Sequence, residues 1–198
     1  MIKKLISKTL IFFVYRWALL FYDKKYLVGK WFSRDGFTKG WQQVLNCWYG
    51  QKVKGINKHV PWPVPESVQV GNPDNIEFNP DDMDNFWSVG CYFQALGAKL
   101  IIKKGTIIAP GVGLITANHD LNNYLQSQEG KPVIIGENCW IGMNAVILPG
   151  VELGDHTIVG AGAIVTKSYP EGYCVLVGNP ARPIKKVVKD ENGQFIAQ

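Results

Sequence analysis

VIIGENCWIGMNAVILPGVELGDHTIVGAGAIVT, residues 133–166, carries an apolar residue at every sixth position: Ile135, Ile141, Ile147, Leu153, Val159 and Val165. Neither an α-helix, with its 3.6-residue period, nor a half-buried strand, with its period of two, produces a strict six. Gly follows Ile135, Ile141, Leu153 and Val159, and the residue four places after each apolar one is small or β-branched: Cys139, Ala145, Val151, Thr157, Ala163. Six residues act as one structural step. A parallel β-helix meets that requirement, with each hexapeptide laying down one flat face, its aliphatic residue pointing at the axis and its small residue fitting the tighter corner. Gly relieves backbone geometry that a Cβ would strain.

Working outward, residues 96–114 hold a second run in their own phase, Leu96, Ile102, Ile108 and Leu114. The next steps would fall at Asp120 and Gln126, so the repeat breaks over residues 116–131, TANHDLNNYLQSQEGK, and resumes at a shifted phase. A polar excursion of this length in a compact repeat marks a functional loop. Val70 and Ile76 are six apart and read as weakly marked first steps, and the acidic group Asp81, Asp82 and Asp84 reads as a solvated turn.

The remaining segments divide the chain into residues 1–66, 67–168 with the insertion, and 169–198. The first holds an apolar, helical N-terminus (MIKKLISKTLIFFVYRWALLFYDKK) that carries Lys8 and Arg16 inside its apolar window, which argues against a spanning helix. No small-residue cleavage site is visible in it. Two packings fit: an interfacial helix with Phe12, Phe13, Trp17, Leu20 and Phe21 in the acyl boundary and Lys3, Lys4, Lys8, Arg16, Lys24 and Lys25 among headgroups, or a helix laid on the protein's own body or a neighbouring subunit. Residues 26–58 show no sustained period. HVPWPVP, residues 59–65, reads as an extended proline-rich spacer. After Thr166 come a Pro170-Glu171-Gly172 turn, a strand over 173–177, a Gly-Asn-Pro turn, a basic tail and a terminus expected to fray.

At 198 residues the chain suits one domain with appendages. A formal charge of +5 fits a phosphate-bearing ligand or an anionic membrane surface, and is too small and too little clustered with aromatics for nucleic acid. The four cysteines form no CxxC pair, which points to a reducing, cytoplasmic compartment, peripheral to the inner membrane face if the N-terminus docks there. Of the three histidines, His59 lies in the spacer and His156 in a Gly-Asp-His corner. His119 opens the excursion between Asn118 and Asp120, where a rigid strand end could hold an imidazole for general-base work near neutral pH.

WIGMNAVILPGVELGDHTIVGAGAIVTK together with GNPARPIKK, ANHD and GKPVIIGEN resembles the hexapeptide-repeat acyltransferases, among them the maltose, galactoside and serine O-acetyltransferases. GCYFQALGAKLIIKKGTIIAPGVGLITANHD is most similar to the bacterial capsule, exopolysaccharide and O-antigen acetyltransferases. The resemblance covers residues 60–188. It implies a mainly β, left-handed parallel β-helix, a homotrimer with active sites between subunits, acetyl-CoA as co-substrate and no metal.

By the same resemblance His119 is the catalytic base, with Asn118, Asp120, Trp140 and Cys91 about the acceptor, Met143, Ala161 and Thr166 along the pantetheine arm, and Lys167, Arg182 and Lys185 near the CoA phosphates. An Asn that related enzymes place below the histidine has no counterpart in Gly90-Cys91-Tyr92, and no carboxylate matches the one that orients the imidazole. The expected activity is acetyl transfer to a sugar hydroxyl of a cell-surface polysaccharide or its precursor. A small soluble acceptor, a non-catalytic β-helix used for binding or assembly, and a zinc enzyme of the γ-carbonic-anhydrase type are the alternatives; the last needs three convergent histidines.

Overall fold

The computed structural model describes residues 2–198, with side chains from residue 8 onward, so the expected headgroup contacts of Lys3 and Lys4 lie outside the described residues. In chain order the elements are helices α1 (Ile2–Ala18) and α2 (Lys39–Trp48) and strands β1 (Gln69–Val70), β2 (Ile76–Phe78), β3 (Tyr92–Phe93), β4 (Leu100–Ile102), β5 (Ile107–Ile108), β6 (Gly113–Leu114), β7 (Val133–Ile135), β8 (Trp140–Ile141), β9 (Val146–Ile147), β10 (Glu152–Leu153), β11 (Ile158–Val159), β12 (Ile164–Val165), β13 (Cys174–Gly178), β14 (Ala181–Lys189) and β15 (Phe195–Ala197). The short strands form three parallel sheets, one per face of a coil. The first face stacks β1-β3-β6-β9-β12, the second β2-β4-β7-β10, and the third β5-β8-β11-β13.

The six-residue phase explains the stack directly. The last residue of each short strand points inward and lies on its equivalent one coil away: Phe93, Leu114, Ile147 and Val165 on the first face, Ile102, Ile135 and Leu153 on the second, Ile108, Ile141 and Val159 on the third. All are buried, and Cys139, Ala145, Val151, Thr157 and Ala163 join them. Burial pushes the Cys139 thiol up, which suits a small core residue rather than a reactive one. The glycines that follow inward residues serve close approach rather than unusual φ. A Cβ on Gly142 would lie 2.7 Å from the Ala161 nitrogen of the next coil, and its φ is not positive.

Several expectations are corrected. Leu96 is not an inward position but 41% exposed; Phe93 fills the axis, nine positions before Ile102. Asp82 is buried rather than solvated, accepts from the Gly105 N–H at 2.8 Å, and burial raises its pKa. It sits in a 3-10 segment, Pro80–Trp87, which replaces the first strand of the third face. There Asn85 imitates a peptide unit: its Nδ2 donates to Thr106 O at 2.9 Å and its Oδ1 accepts from Ile108 N at 2.8 Å, closing the open edge of β5.

The HVPWPVP stretch packs into the core, with Val60, Trp62 and Val64 wholly buried. Trp62 meets Tyr26, Phe78 and Phe86 at ring separations of 4.8–5.1 Å, and Phe86 meets Phe93 at 4.5 Å. This aromatic plug, with α1 and α2 packed beneath, covers the base of the coil. At the other end β13, β14 and β15 turn antiparallel. The terminus is therefore paired, and the Phe195 ring lies 4.2 Å from that of His156, which is half-buried.

Candidate active site

The excursion is an arm with a defined root. Thr116 O accepts from Lys131 N at 2.7 Å, Asn118 O from Gln128 N at 2.7 Å, and Asp120 N donates to Gln126 O at 2.8 Å. His119 pairs antiparallel with Ser127 across the arm. Its ring is exposed, and among the described residues no side chain is hydrogen-bonded to it. Asp120 does not serve the imidazole: its Oδ1 accepts from the backbone of Asn122 and Asn123 at 2.7 and 3.1 Å, holding the turn at the arm's tip. Asn118 is exposed beside the histidine.

Gln94 is the residue that sequence reasoning missed. Its Oε1 accepts from the N–H groups of Thr116 at 3.0 Å and Ala117 at 2.8 Å, tying down the backbone two residues before His119. Thr116 Oγ1 completes the joint by donating to Leu96 O at 2.8 Å. The available signal was a lone amide in GCYFQALG, immediately after the inward Phe93. Cys91, expected at the acceptor, is 1% exposed with its Sγ against Ala109 O at 3.3 Å, and burial raises its pKa. It faces the coil interior.

The other expected residues occupy separate edges of the coil. Thr166 and Lys167 follow β12 at the edge between the first and second faces, the same edge from which the arm departs after β6. Trp140 lies on the outer side of the third face, 54% exposed, in register with Ile107 below and Ile158 above. Met143 and Ala161 lie one coil apart at the edge between the third and first faces, where Gly162 N donates to Met143 O at 2.8 Å. Within one chain, then, His119 with Lys167 and Trp140 with Met143 stand on opposite sides of the first face.

Arg182 and Lys185 are exposed on β14; Arg182 Nη1 donates to Ala181 O at 2.9 Å and Lys185 Nζ to Ala197 O at 3.4 Å. An open cavity of about 590 Å³ beside them is walled by Tyr173, Pro183, Ile184, Lys185 and Gln198, and neither His119 nor Trp140 borders it. No group of three or more metal-ligating side chains is found among the described residues.

Comparison with known proteins places this arrangement. The family described as bacterial transferase hexapeptide (six repeats) matches residues 132–167. A Staphylococcus aureus protein named as a candidate acetyltransferase is 34% identical over 182 residues, covering 83% of this chain and 90% of its own length. The chain belongs to the hexapeptide-repeat transferases. A Saccharomyces cerevisiae candidate acetyltransferase is 38% identical over 112 residues, 55% of this chain, and the present hexapeptide-repeat transferase spans 57% of that relative's length. A solved galactoside acetyltransferase in complex with coenzyme A is 31% identical with a TM-score of 0.51, the match covering 63% of this chain and 61% of that one. Both partial matches leave out roughly two fifths of the present chain.

Proposed function

We propose that this hexapeptide-repeat transferase moves an acetyl group from acetyl-CoA to a sugar hydroxyl of a cell-surface polysaccharide or its precursor, with His119 as general base. The observation that carries the reading is an exposed imidazole on an arm whose root is pinned by Gln94, Thr116 and Lys131, in a coil whose Trp140, Met143 and Ala161 lie across the first face from it. In a left-handed coil assembled as a homotrimer, the His119 edge of one subunit meets the Trp140–Met143 edge of its neighbour. Each active site is then completed by two chains.

The chemistry follows from the groups. The imidazole takes the proton of the acceptor hydroxyl as its oxygen bonds to the thioester carbonyl carbon, giving a tetrahedral oxyanion. Collapse breaks the carbon–sulfur bond, the ester departs, and the imidazolium returns its proton to the CoA thiolate. Coil edges present outward backbone amides beside Met143, Ala161 and Thr166 to the amide-rich pantetheine arm. Lys167, Arg182 and Lys185 supply cations for the phosphates.

The galactoside acetyltransferase with bound coenzyme A supports this donor, and it supports a sugar acceptor by analogy. The test is release of CoA thiol from acetyl-CoA with candidate glycans, comparing the native chain with His119→Ala. The expected loss is on the order of 10² to 10⁴ in kcat, the range for removal of a general base. An unchanged rate would remove His119 from the mechanism.

A further inference from the structure

We propose that the outward side of α1, with the basic segment that follows it, docks on an anionic lipid surface. The helix is apolar on both sides. Ile11, Tyr15 and Ala18, with Tyr22 just beyond, recur every three or four residues and are buried against the body of the protein. The opposite side presents Phe13, 64% exposed and flanked by Phe12 and Leu10, and Leu20, 74% exposed, follows just past the helix end. Exposed phenylalanine and leucine gathered along one short segment mark an interaction surface.

Charge selects the occupant. Residues 8–58 hold ten Lys and Arg against two Asp, whereas residues 59–198 hold nine against fourteen Asp and Glu. The modest overall charge of +5 therefore hides a strongly basic base beneath an acidic coil. Arg16 lies on the outward side of α1, and Lys24 and Lys25 follow its end, all exposed. A recess of about 180 Å³ is walled by Lys8, Ile11, Phe12, Tyr15 and Arg34. In it the Arg34 guanidinium sits 4.2 Å above the Tyr15 ring, and Lys8 reaches Asp35 at 2.9 Å. An aromatic floor with cations at its rim suits the phosphate of a lipid headgroup, with the phenylalanines entering the acyl boundary beside it.

A second copy of the chain would bring two like-charged surfaces together, which electrostatics opposes. Spanning is excluded on length: no helix among the described residues is long and apolar enough to cross a membrane. The coil would thus stand on the membrane by its base, with the His119 arm at a fixed height above it. This inference is independent of the acyl-transfer reading.

The test is co-sedimentation of the full chain with phosphatidylcholine vesicles, with and without roughly a third phosphatidylglycerol. The expected result is partition at least tenfold stronger with the anionic lipid, falling as salt is raised. The double substitution Phe13→Glu/Leu20→Glu should abolish it, and Arg16→Glu/Lys24→Glu should erase the lipid preference; the melting temperature should hold, since these side chains are exposed. No partition, equal partition with both vesicles, or equal partition of the Phe13/Leu20 variant overturns the proposal. Loss of a lipid-free oligomer in that variant, seen by analytical ultracentrifugation, overturns it in favour of a self-interface. Acetyl transfer to a water-soluble acceptor should be unchanged in all variants, so failure of docking and failure of the enzymatic reading are told apart.

Discussion

Gln94 shows how much a single side chain can carry when the backbone leaves its ladder. Between β6 and β7 the chain departs from the coil, and the first N–H groups of the arm no longer reach the carbonyls of the next coil, to which Gly113 and Ile115 donate. One amide oxygen supplies both Thr116 and Ala117. Replacing it with Leu keeps the volume but orphans two donors, at a cost of about 1–3 kcal/mol. The expected outcome for Gln94→Leu is a lower kcat with little change in KM for acetyl-CoA, together with faster amide exchange confined to residues 116–131. Exchange unchanged in the arm would show that Gln94 does not position it.

At the scale of the element, the coil must begin somewhere, and its first coil lacks a strand on the third face. The 3-10 segment Pro80–Trp87 fills that place, and Asn85 meets both the donor and the acceptor of β5 that a strand would have met. Asn85→Leu should therefore destabilise the chain by about 1–3 kcal/mol in urea titration, because both groups are left buried and unpaired. Asn85→Asp keeps the acceptor for Ile108 N and loses the donor to Thr106 O, and a carboxylate is costly to bury there. It should fare no better than Leu. Equal stability of either variant with the native chain would show that the edge is closed by other means.

For the whole molecule, the separation of His119 from Trp140 by the width of one face leads to a prediction about assembly. If sites form between subunits, His119→Ala and Trp140→Ala chains, each deficient alone, should regain activity when refolded together. A random mixture of two such chains in closed symmetric trimers restores roughly a quarter of the sites. No recovery from mixed trimers of confirmed composition would place the site within one chain. The same scale explains the segregation of charge: a basic base and an acidic coil are invisible in a total of +5.

The hexapeptide phase by itself determined the β-helix, because only residues that stack on an axis need recur at exact sixes; Ile102, Ile108, Leu114 and the series from Ile135 to Val165 all lie where that phase put them. It also revealed the arm, as a break in the count. What it misassigned at the base and the site depends on neighbours distant along the chain. Leu96 kept the phase by coincidence while Phe93, three residues earlier, took the axis, since the chain between Phe93 and Ile102 has three residues to spare. Asp82 looked solvated until Gly105 supplied a donor, and Cys91 turned inward with its strand. The two possible packings of the N-terminal helix could not be separated by its pattern, because α1 is apolar on both sides. Only the packed structure shows which side the protein itself covers and which it leaves exposed.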